Sequence, residues 1–453
     1  MPHPHVDLGT FLASNDATNG PHANGARNVP GATNVEGGFG LGCGAVWARV
    51  LGKFVLVWLL AARVAIAAEP TVILISLDGT RPEAVQQLPV FQRILANGAW
   101  ADRLIPAFPS NTFPNHVTFV TGVSPDRHGI VNNSFDDPVR GHYDYGADPA
   151  WLQVEPLWSI AARAGVVSAA YCWVGSEGVW QNGLGPRHWK PFDSAIGEMA
   201  KVEQILAWLD LPDASERPRL VTSWFHGADG ASHRFGPDSE IVAGVLVQQD
   251  AALAALLDGL GKRGLMDSTT LLVVSDHGMT ETRHTADLAD ALDEAGVGAK
   301  VIGGGGFAQV ELRGDADRAG RTARVVEIAR GLGLEAWSAG HGPPEYAITN
   351  ARFGDVVVVA PLGTAITAQS GMSWLLGFVG LERFAMRGVH GHRPELPEMG
   401  ALFGAIGRGV AAGARPGTVR AIDVAPTVLA VLGLPIPDWM EGRPISLAAG
   451  VSR

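Results

Sequence analysis

Aspartate, histidine and threonine residues that could bind metal ions or act as a nucleophile occur in several short, separated segments of the sequence. A neutral threonine hydroxyl is a poor nucleophile, so it needs a neighbouring base or cation. Imidazole and carboxylate ligands together suit Zn²⁺ better than Mg²⁺ or Ca²⁺, which prefer oxygen ligands alone. The candidate nucleophile is Thr112, and the candidate ligands, enough for two divalent cations, are Asp78, Asp229, His233, Asp276, His277 and His390.

This combination of residues suits an in-line displacement at phosphorus. Two cations about 4 Å apart can hold the attacking and leaving oxygens, and coordination lowers the pKa of a threonine hydroxyl. Charge that develops on the non-bridging oxygens needs a hydrogen-bond donor, for which Asn133 in HGIVNNSFDD is a candidate. Taken singly, each residue has a simpler explanation, since Asp78 is typical of a turn or helix cap after a strand and Thr112 of a cap.

Continuous apolar runs predict buried strands that would bring these segments together. TVILISL precedes Asp78, LVTSWF lies shortly before Asp229, and LLVVS precedes Asp276. Such runs are typical of strands covered on both faces. Strands alternating with amphipathic helices predict an α/β fold, with three layers (α/β/α) around a mostly parallel sheet. Ligands bind beyond the carboxyl ends of such strands, so we expect the three aspartates to meet there.

The sequence also predicts how the rest of the chain is organised. Residues 1–45 are rich in Gly, Asn and Pro without apolar periodicity, as in a disordered leader. Residues 46–68 combine a basic flank, a short apolar run and an A-x-A pattern, as in an export signal. The alternative is a membrane anchor through 54–67. We therefore expect an exported, periplasmic or secreted catalytic domain over 69–453, with a smaller cap inserted at about 281–385.

Composition argues against several kinds of partner and site. The formal net charge of -11 argues against a nucleic-acid-binding surface. Two cysteines, Cys43 and Cys172, give neither a disulfide framework nor a cysteine-based zinc motif. The glycine run at 303–306 lacks the Lys-Ser/Thr that follows in a phosphate-binding loop, so we predict a turn or a close backbone approach there.

Together the motifs resemble the nucleotide pyrophosphatase/phosphodiesterase family of the alkaline phosphatase superfamily. The resemblance covers roughly residues 70–440 and lies in LDGTRPE, PSNTFPNHVTFVTGVSPDRHGIVNN, DGASH, VSDHGM and HGHRPELPEM. It implies an alkaline phosphatase-like domain that hydrolyses phosphate diester or pyrophosphate bonds through a phosphothreonine on Thr112. It also implies two Zn²⁺ ions and a small-molecule phosphodiester or nucleotide substrate, with membrane contact only if the N-terminal apolar segment is retained.

The resemblance also implies roles for individual residues. Asn133 and the backbone amide of Thr112 would contact a phosphate oxygen. Phe113 would stack on a nucleobase or another leaving group, the alternative being a role in the core. The implied zinc ligands are Asp229, His233 and His390 for one ion, and Asp78, Thr112, Asp276 and His277 for the other.

The sequence departs from the family pattern at Ser232 and at the run His392, Arg393 and Pro394. Ser232 stands where the family usually has glycine before His233, and since serine is small we expect the ligand geometry to survive. His392 and Arg393 follow His390, and the spacing of the later Pro-Glu-Met favours His390 over His392 as the ligand. We expect Arg393 to pair either with a distal phosphate or with Glu395.

Other functions remain compatible with these motifs. A phosphate monoesterase of the same superfamily would need extra positive groups for a doubly charged phosphoryl end, and no dedicated Arg or Lys can be assigned. A sulfatase would need an oxidisable Cys or Ser in place of Thr112 and an Arg in place of His116. An inactive metal-binding relative is opposed by the complete set of ligand positions.

Overall fold

The computed structural model of the protein describes residues 69–368 and 386–448. The predicted leader (1–45) and the predicted export signal or anchor (46–68) lie outside these residues. The strands are β1 (Thr71–Leu77), β2 (Ala99–Trp100), β3 (Arg103–Ile105), β4 (Ser134–Asp137), β5 (Gly141–Asp144), β6 (Ser168–Tyr171), β7 (His188–Lys190), β8 (Leu220–Phe225), β9 (Thr269–Val274), β10 (Thr280–Glu281), β11 (His284–Ala286), β12 (Ala299–Gly304), β13 (Phe307–Leu312), β14 (Glu335–Ser338), β15 (Val356–Val359), β16 (Thr364–Ile366), β17 (Gly388–Val389), β18 (Phe403–Gly407) and β19 (Thr418–Arg420). The α-helices are α1 (Pro82–Val85), α2 (Pro89–Asn97), α3 (Thr112–Thr121), α4 (Pro125–His128), α5 (Leu157–Arg163), α6 (Glu198–Leu209), α7 (Gly227–Phe235), α8 (Glu240–Lys262), α9 (Leu288–Glu294), α10 (Arg318–Gly331) and α11 (Val424–Leu432).

The central sheet has seven strands in the order β2-β18-β9-β1-β8-β6-β7. Strands β9, β1, β8, β6 and β7 run parallel, whereas β18 is antiparallel to both β9 and β2. Every residue of β8 and β9 is buried, and so is every residue of β1 except Thr71. This confirms the mostly parallel sheet that the continuous apolar runs predict.

Helices cover the sheet in two groups, which gives the three predicted layers. In one group, α1, α2, α6 and α7 pack against α8. In the other, α4, α5 and α11 pack against α3, and α11 also contacts β1. By length and composition alone α8 could cross a membrane, but 44% of its apolar stretch is buried inside the protein. Its packing against four other helices is that of a core helix.

A second, antiparallel sheet has the strand order β12-β13-β15-β14. It has an apolar core of its own, which includes Val310, Val325 and Val356. These residues belong to the segment 281–385 that we predict to form a cap. Residues 369–385 of that segment lie outside the described residues, and the cap stays a prediction.

The glycine run between β12 and β13 makes the close backbone approach that we predict. Gly306 N donates a hydrogen bond to His390 O over 2.7 Å. A Cβ atom at Gly306 would lie only 2.5 Å from His392 N, so a larger residue would displace one of the two segments. The run therefore fixes the second sheet against the backbone of His390.

Candidate active site

The candidate ligands converge beyond the carboxyl ends of β1, β8 and β9. Asp78 directly follows β1, Asp229 lies in the first turn of α7, and Asp276 lies just after β9. The ends of parallel strands meet at one edge of the sheet, which brings segments from distant parts of the sequence together. Two groups have ligand atoms that all lie within 4.8 Å of one another: Asp229, His277 and His390, and Asp78, Asp276 and His277.

His233 joins the first group through its position on α7. It lies one helical turn after Asp229, and its Nε2 is 3.3 Å from Asp229 Oδ1. Nε2 of His390 is 3.8 Å from the same oxygen. The imidazole rings of His277 and His390 stack with their centroids 3.7 Å apart. The structure thus brings all the predicted side-chain ligands together, and their assignment to one ion or the other stays a prediction.

Backbone carbonyls orient the three imidazoles. The Nδ1 atom of His233 donates to Gly388 O over 2.8 Å, and that of His277 donates to Gly278 O over 2.8 Å. The Nδ1 atom of His390 donates to the Ser110 carbonyl over 3.1 Å. Since the proton sits on Nδ1, the lone pair of each Nε2 is available to a metal ion.

Three carboxylate oxygens at this site are buried and accept no hydrogen bond from the described residues. They are Asp78 Oδ1, Asp229 Oδ1 and Asp276 Oδ2. Burial of an unpaired carboxylate oxygen is costly, and native proteins rarely tolerate it. Bound cations would neutralise these oxygens, so the donor set fits the two metal ions that the resemblance implies.

The pKa shift of Asp78 reflects the same buried negative charge, and those of Asp229 and His390 reflect the surrounding imidazoles. Burial and the nearby charges of Asp276 and Asp229 raise the pKa of Asp78 well above its ordinary value. Although burial opposes it, the His233 imidazole lowers the pKa of Asp229. Burial and the neighbouring His277 lower the pKa of His390 well below its ordinary value, which keeps this ligand neutral.

Thr112 begins helix α3 and is buried among these groups. The residue before it, Asn111, occupies the N-cap position, and no side chain caps the helix there. The Thr112 hydroxyl does not act as a cap and instead lies 3.1 Å from His277 Nε2. The positive end of the helix dipole is at this terminus and favours an approaching anion. Both features suit a nucleophile that attacks a phosphate group.

Asn133 and Phe113 lie beside Thr112, as the resemblance implies. Asn133 Oδ1 accepts a hydrogen bond from Phe113 N over 2.9 Å. This contact directs the amide oxygen of Asn133 toward the helix. Nδ2 carries two N–H groups, so it can donate both to the Tyr145 hydroxyl and to a ligand. Phe113 is mostly buried and also lines the cavity, and its stacking on a substrate ring stays a prediction.

A cavity of about 400 Å³ opens next to these residues. Five Phe, Tyr or Trp side chains line its walls. The ring of Phe113 meets Tyr145 and Trp224 edge-on at centroid distances of 5.1 and 6.1 Å. Phe192 stacks on Trp224 at 5.0 Å. Among the described residues that line the cavity there is no arginine or lysine. The cavity therefore suits a planar organic group more than a second phosphate.

Two of the residues that depart from the family pattern, Ser232 and His392, lie outside both ligand groups. The Ser232 hydroxyl donates to Ala228 O within its own helix over 2.8 Å, so it leaves the ligands undisturbed. His392 is buried outside both ligand groups, where its Nδ1 donates to the Ala360 carbonyl over 3.0 Å. This geometry favours His390 as the ligand.

The prediction that Arg393 pairs with Glu395 is wrong. Arg393 pairs with Glu335 on β14, and its Nε lies 3.1 Å from Glu335 Oε2. Glu395 instead accepts a hydrogen bond from the Tyr346 hydroxyl over 3.0 Å. The second sheet thus holds Arg393 through a residue that is distant in the sequence.

Sequence patterns missed Trp224, which contacts a candidate ligand directly. Its Nε1 donates to Asp78 Oδ2 over 2.9 Å and so leaves Oδ1 available to a cation. Trp224 lies inside the apolar run LVTSWF, where the pattern indicates only a core residue. The sole sequence signal is that a buried tryptophan needs an acceptor for its N–H group.

Replacement of Trp224 by phenylalanine tests this contact. Partners that orient metal ligands typically contribute about 10- to 100-fold to metal affinity or activity, and we expect a loss of zinc affinity in that range for Trp224→Phe. Competition with a chromogenic chelator measures the affinity. The matched control is Trp173→Phe, because Trp173 also lines the cavity but donates to the backbone carbonyl of His116. Equal zinc affinity in both variants would refute this role of Trp224.

Comparison with known proteins supports the fold and the family. Residues 72–393 match the model of the type I phosphodiesterase / nucleotide pyrophosphatase family. An inactive variant of murine ectonucleotide pyrophosphatase / phosphodiesterase 5, solved in complex with AMP, aligns with a TM-score of 0.72 and 24% identity, covering 82% of this chain and 96% of that chain. This structural likeness shows an alkaline phosphatase-like fold.

Curated relatives match over part of the chain. An uncharacterized pyrophosphatase/phosphodiesterase of Schizosaccharomyces pombe is 38% identical over 223 residues, which are 47% of this chain and 46% of that protein. Ectonucleotide pyrophosphatase/phosphodiesterase family member 3 of Bos taurus is 35% identical over 222 residues, 47% of this chain and 25% of its own length. A venom phosphodiesterase of Macrovipera lebetinus is 35% identical over 218 residues, 46% of this chain and 25% of its own length. The matches thus span less than half the length of these relatives.

Proposed function

Because this chain belongs to the type I phosphodiesterase / nucleotide pyrophosphatase family, we propose that it hydrolyses phosphate diester or pyrophosphate bonds in a small phosphodiester or nucleotide. The observation that carries the proposal is the buried Thr112 hydroxyl beside two groups of candidate metal ligands. The AMP bound to the structurally similar murine protein supports a nucleotide as the substrate.

In the proposed reaction Thr112 acts as the nucleophile. Its hydroxyl releases its proton to solvent, Oγ1 forms a bond to phosphorus, and the bond from phosphorus to the leaving oxygen breaks. The leaving oxygen takes up a proton from solvent, and a phosphothreonine results. Water then attacks this phosphorus, the bond to Oγ1 breaks, and the Thr112 hydroxyl is restored. Nδ2 of Asn133 and the backbone amide of Thr112 would donate to a non-bridging oxygen, where negative charge increases in the transition state.

Two Zn²⁺ ions are the proposed cofactors. When bound, they would supply the positive charge that lowers the pKa of the Thr112 hydroxyl and balances the charge of the phosphoryl oxygens. Asp229, His233 and His390 would hold one ion. The other would be held by Asp78, Thr112, Asp276 and His277. His277 belongs to both groups of ligand atoms, so the positions of the two ions decide which of them it binds.

We also propose that the protein acts outside the cytoplasm. The export-signal layout of residues 46–68 supports this, and the names of similar proteins describe an ectonucleotide enzyme and a venom enzyme. The alternative is that residues 54–67 remain as an anchor and hold the protein at the membrane.

Comparison of a diester with a monoester tests the reaction class. The cavity walls supply no described arginine or lysine for a doubly charged phosphoryl end, so we expect a higher kcat/KM for bis-p-nitrophenyl phosphate than for p-nitrophenyl phosphate. Release of p-nitrophenol measures both rates with the same chromophore. A preference for the monoester would make the protein a phosphate monoesterase instead.

A further inference from the structure

Lys201 on α6 is fully buried, although no step of the proposed reaction uses it. Its Nζ donates to the Trp224 carbonyl over 2.8 Å and lies 3.0 Å from His226 Nδ1. Lysine is almost never fully buried without partners. Burial lowers the pKa of Lys201, whereas the nearby Cys172, Glu198 and Asp78 act in the opposite direction. As an ammonium group Lys201 has three N–H donors and no acceptor, so in this contact it donates and His226 Nδ1 accepts.

The contact with Lys201 determines where His226 carries its proton. A neutral imidazole whose Nδ1 accepts a hydrogen bond is protonated at Nε2. Burial and the charge of Lys201 lower the pKa of His226, which keeps the ring neutral, although Glu198 and Asp229 act in the opposite direction. His226 therefore offers an N–H donor on the side of the ring away from Lys201.

His226 lies in the wall of the cavity beside Thr112. Its ring meets Phe192 edge-on, with the centroids 5.1 Å apart, and Phe192 in turn stacks on Trp224. The aromatic walls give a surface for a flat ring but little directional selectivity. In this part of the wall, Nε2 of His226 is a donor that can distinguish one ring from another. In the ligand-free protein the backbone carbonyl of Ser194 accepts a hydrogen bond from His226, and an acceptor on the substrate ring would replace it.

We propose that His226 is a specificity residue, which donates from Nε2 to an acceptor atom on the ring of the organic group esterified to phosphorus, and that Lys201 is the positioning residue that holds His226 in this tautomer. The inference rests on the proposed function and adds the chemistry that selects the substrate. The favoured group is a heteroaromatic ring with a carbonyl oxygen or unprotonated ring nitrogen at its edge, as in a nucleobase, over an apolar ring of similar size.

Two substrates with the same leaving group test the role of His226. They are the p-nitrophenyl ester of thymidine 5′-monophosphate, whose base has carbonyl acceptors, and phenyl p-nitrophenyl phosphate, whose ring has none. For His226→Phe we expect the ratio of kcat/KM for the thymidine ester to kcat/KM for the phenyl ester to fall about tenfold, as for the loss of one hydrogen bond. His226→Gln, which can still donate, should recover part of the loss.

The role of Lys201 has a spectroscopic readout. In wild-type protein labelled with ¹⁵N-histidine, His226 should show the Nε2–H tautomer. Lys201→Met removes the donor to His226 Nδ1, so the His226 signals of this variant should move toward a mixture of tautomers. The KM of the variant for the thymidine ester should rise, while its kcat for the phenyl ester stays the same. Circular dichroism checks that this variant folds. The Nδ1–H tautomer in the wild-type protein would overturn the inference whether or not the variant folds.

The outcomes separate this inference from the proposed function. If the wild-type protein hydrolyses neither ester, the proposed function is wrong and the inference is overturned with it. If it hydrolyses both and His226→Phe lowers the two rates equally, or changes neither, the inference alone is overturned. A selective loss with the thymidine ester supports both.

Discussion

The variant Thr112→Ala should lose at least about 10⁴-fold in kcat for a phosphodiester, because removal of a nucleophile removes the covalent route itself. Zinc content should remain unchanged, since the described carboxylate and imidazole ligands are all retained. Stopped-assay kinetics and metal analysis of the same preparation measure the two quantities. Acid quenching of the wild-type protein during turnover should trap label from a ³²P-diester on Thr112, whereas the variant should trap none.

Two control variants distinguish the nucleophile from the helix that carries it. Thr112→Ser keeps a hydroxyl and should retain a large part of the activity. Thr121→Ala removes a buried hydroxyl from the same helix, one that donates to the Val117 carbonyl over 2.8 Å and belongs to neither ligand group. It should change stability and not chemistry. Turnover by Thr112→Ala close to that of the wild type would contradict the nucleophile assignment.

Removal of the metal ions should abolish activity, and Zn²⁺ should restore it. Without cations, the buried oxygens Asp78 Oδ1, Asp229 Oδ1 and Asp276 Oδ2 leave negative charge beside Thr112 and accept no hydrogen bond from the described residues. The chelated protein should also melt at a lower temperature than the zinc-loaded form, because a ligand that binds only the folded state stabilises it. Dialysis against a chelator, followed by activity and melting measurements, tests both expectations.

A matched pair of carboxylate variants separates metal binding from general damage to the core. Asp276→Asn should lower zinc content and activity together. The control is Asp250→Asn, since Asp250 on α8 is also buried but accepts a hydrogen bond from the Val90 amide over 2.9 Å and belongs to neither ligand group. Its zinc content should match that of the wild type. Full activity of a metal-free preparation would refute the metal-dependent reaction.

The apolar runs of the sequence were sufficient to predict the strands that position the candidate site. The run TVILISL became β1 and LVTSWF became β8 with the predicted bounds, because residues buried on both faces leave a continuous apolar signal. The carboxyl ends of such strands meet at one edge of a sheet. Convergence of Asp78, Asp229 and Asp276 therefore followed from strand positions alone, and the spacing of His233 from the period of a helix.

The contacts that tune the site leave no such periodic signal. The carbonyls of Gly388 and Ser110 that orient His233 and His390 belong to the backbone, which is the same for every residue type. Lys201 lies in an amphipathic helix, where a lysine ordinarily indicates the exposed face. Its burial results from packing of α6 beside β8, which is a tertiary contact between segments that are distant along the chain.

Anomalous diffraction from crystals of the zinc-loaded protein, recorded at the zinc absorption edge, tests most directly whether two cations lie next to Thr112. We expect two strong peaks, about 3.5–4 Å apart as in other two-metal sites. One should lie among Asp229, His233 and His390, and the other among Asp78, Asp276 and His277, within bonding distance of Thr112 Oγ1. A map without zinc at these residues, or with the Thr112 hydroxyl remote from every ion, would contradict the account.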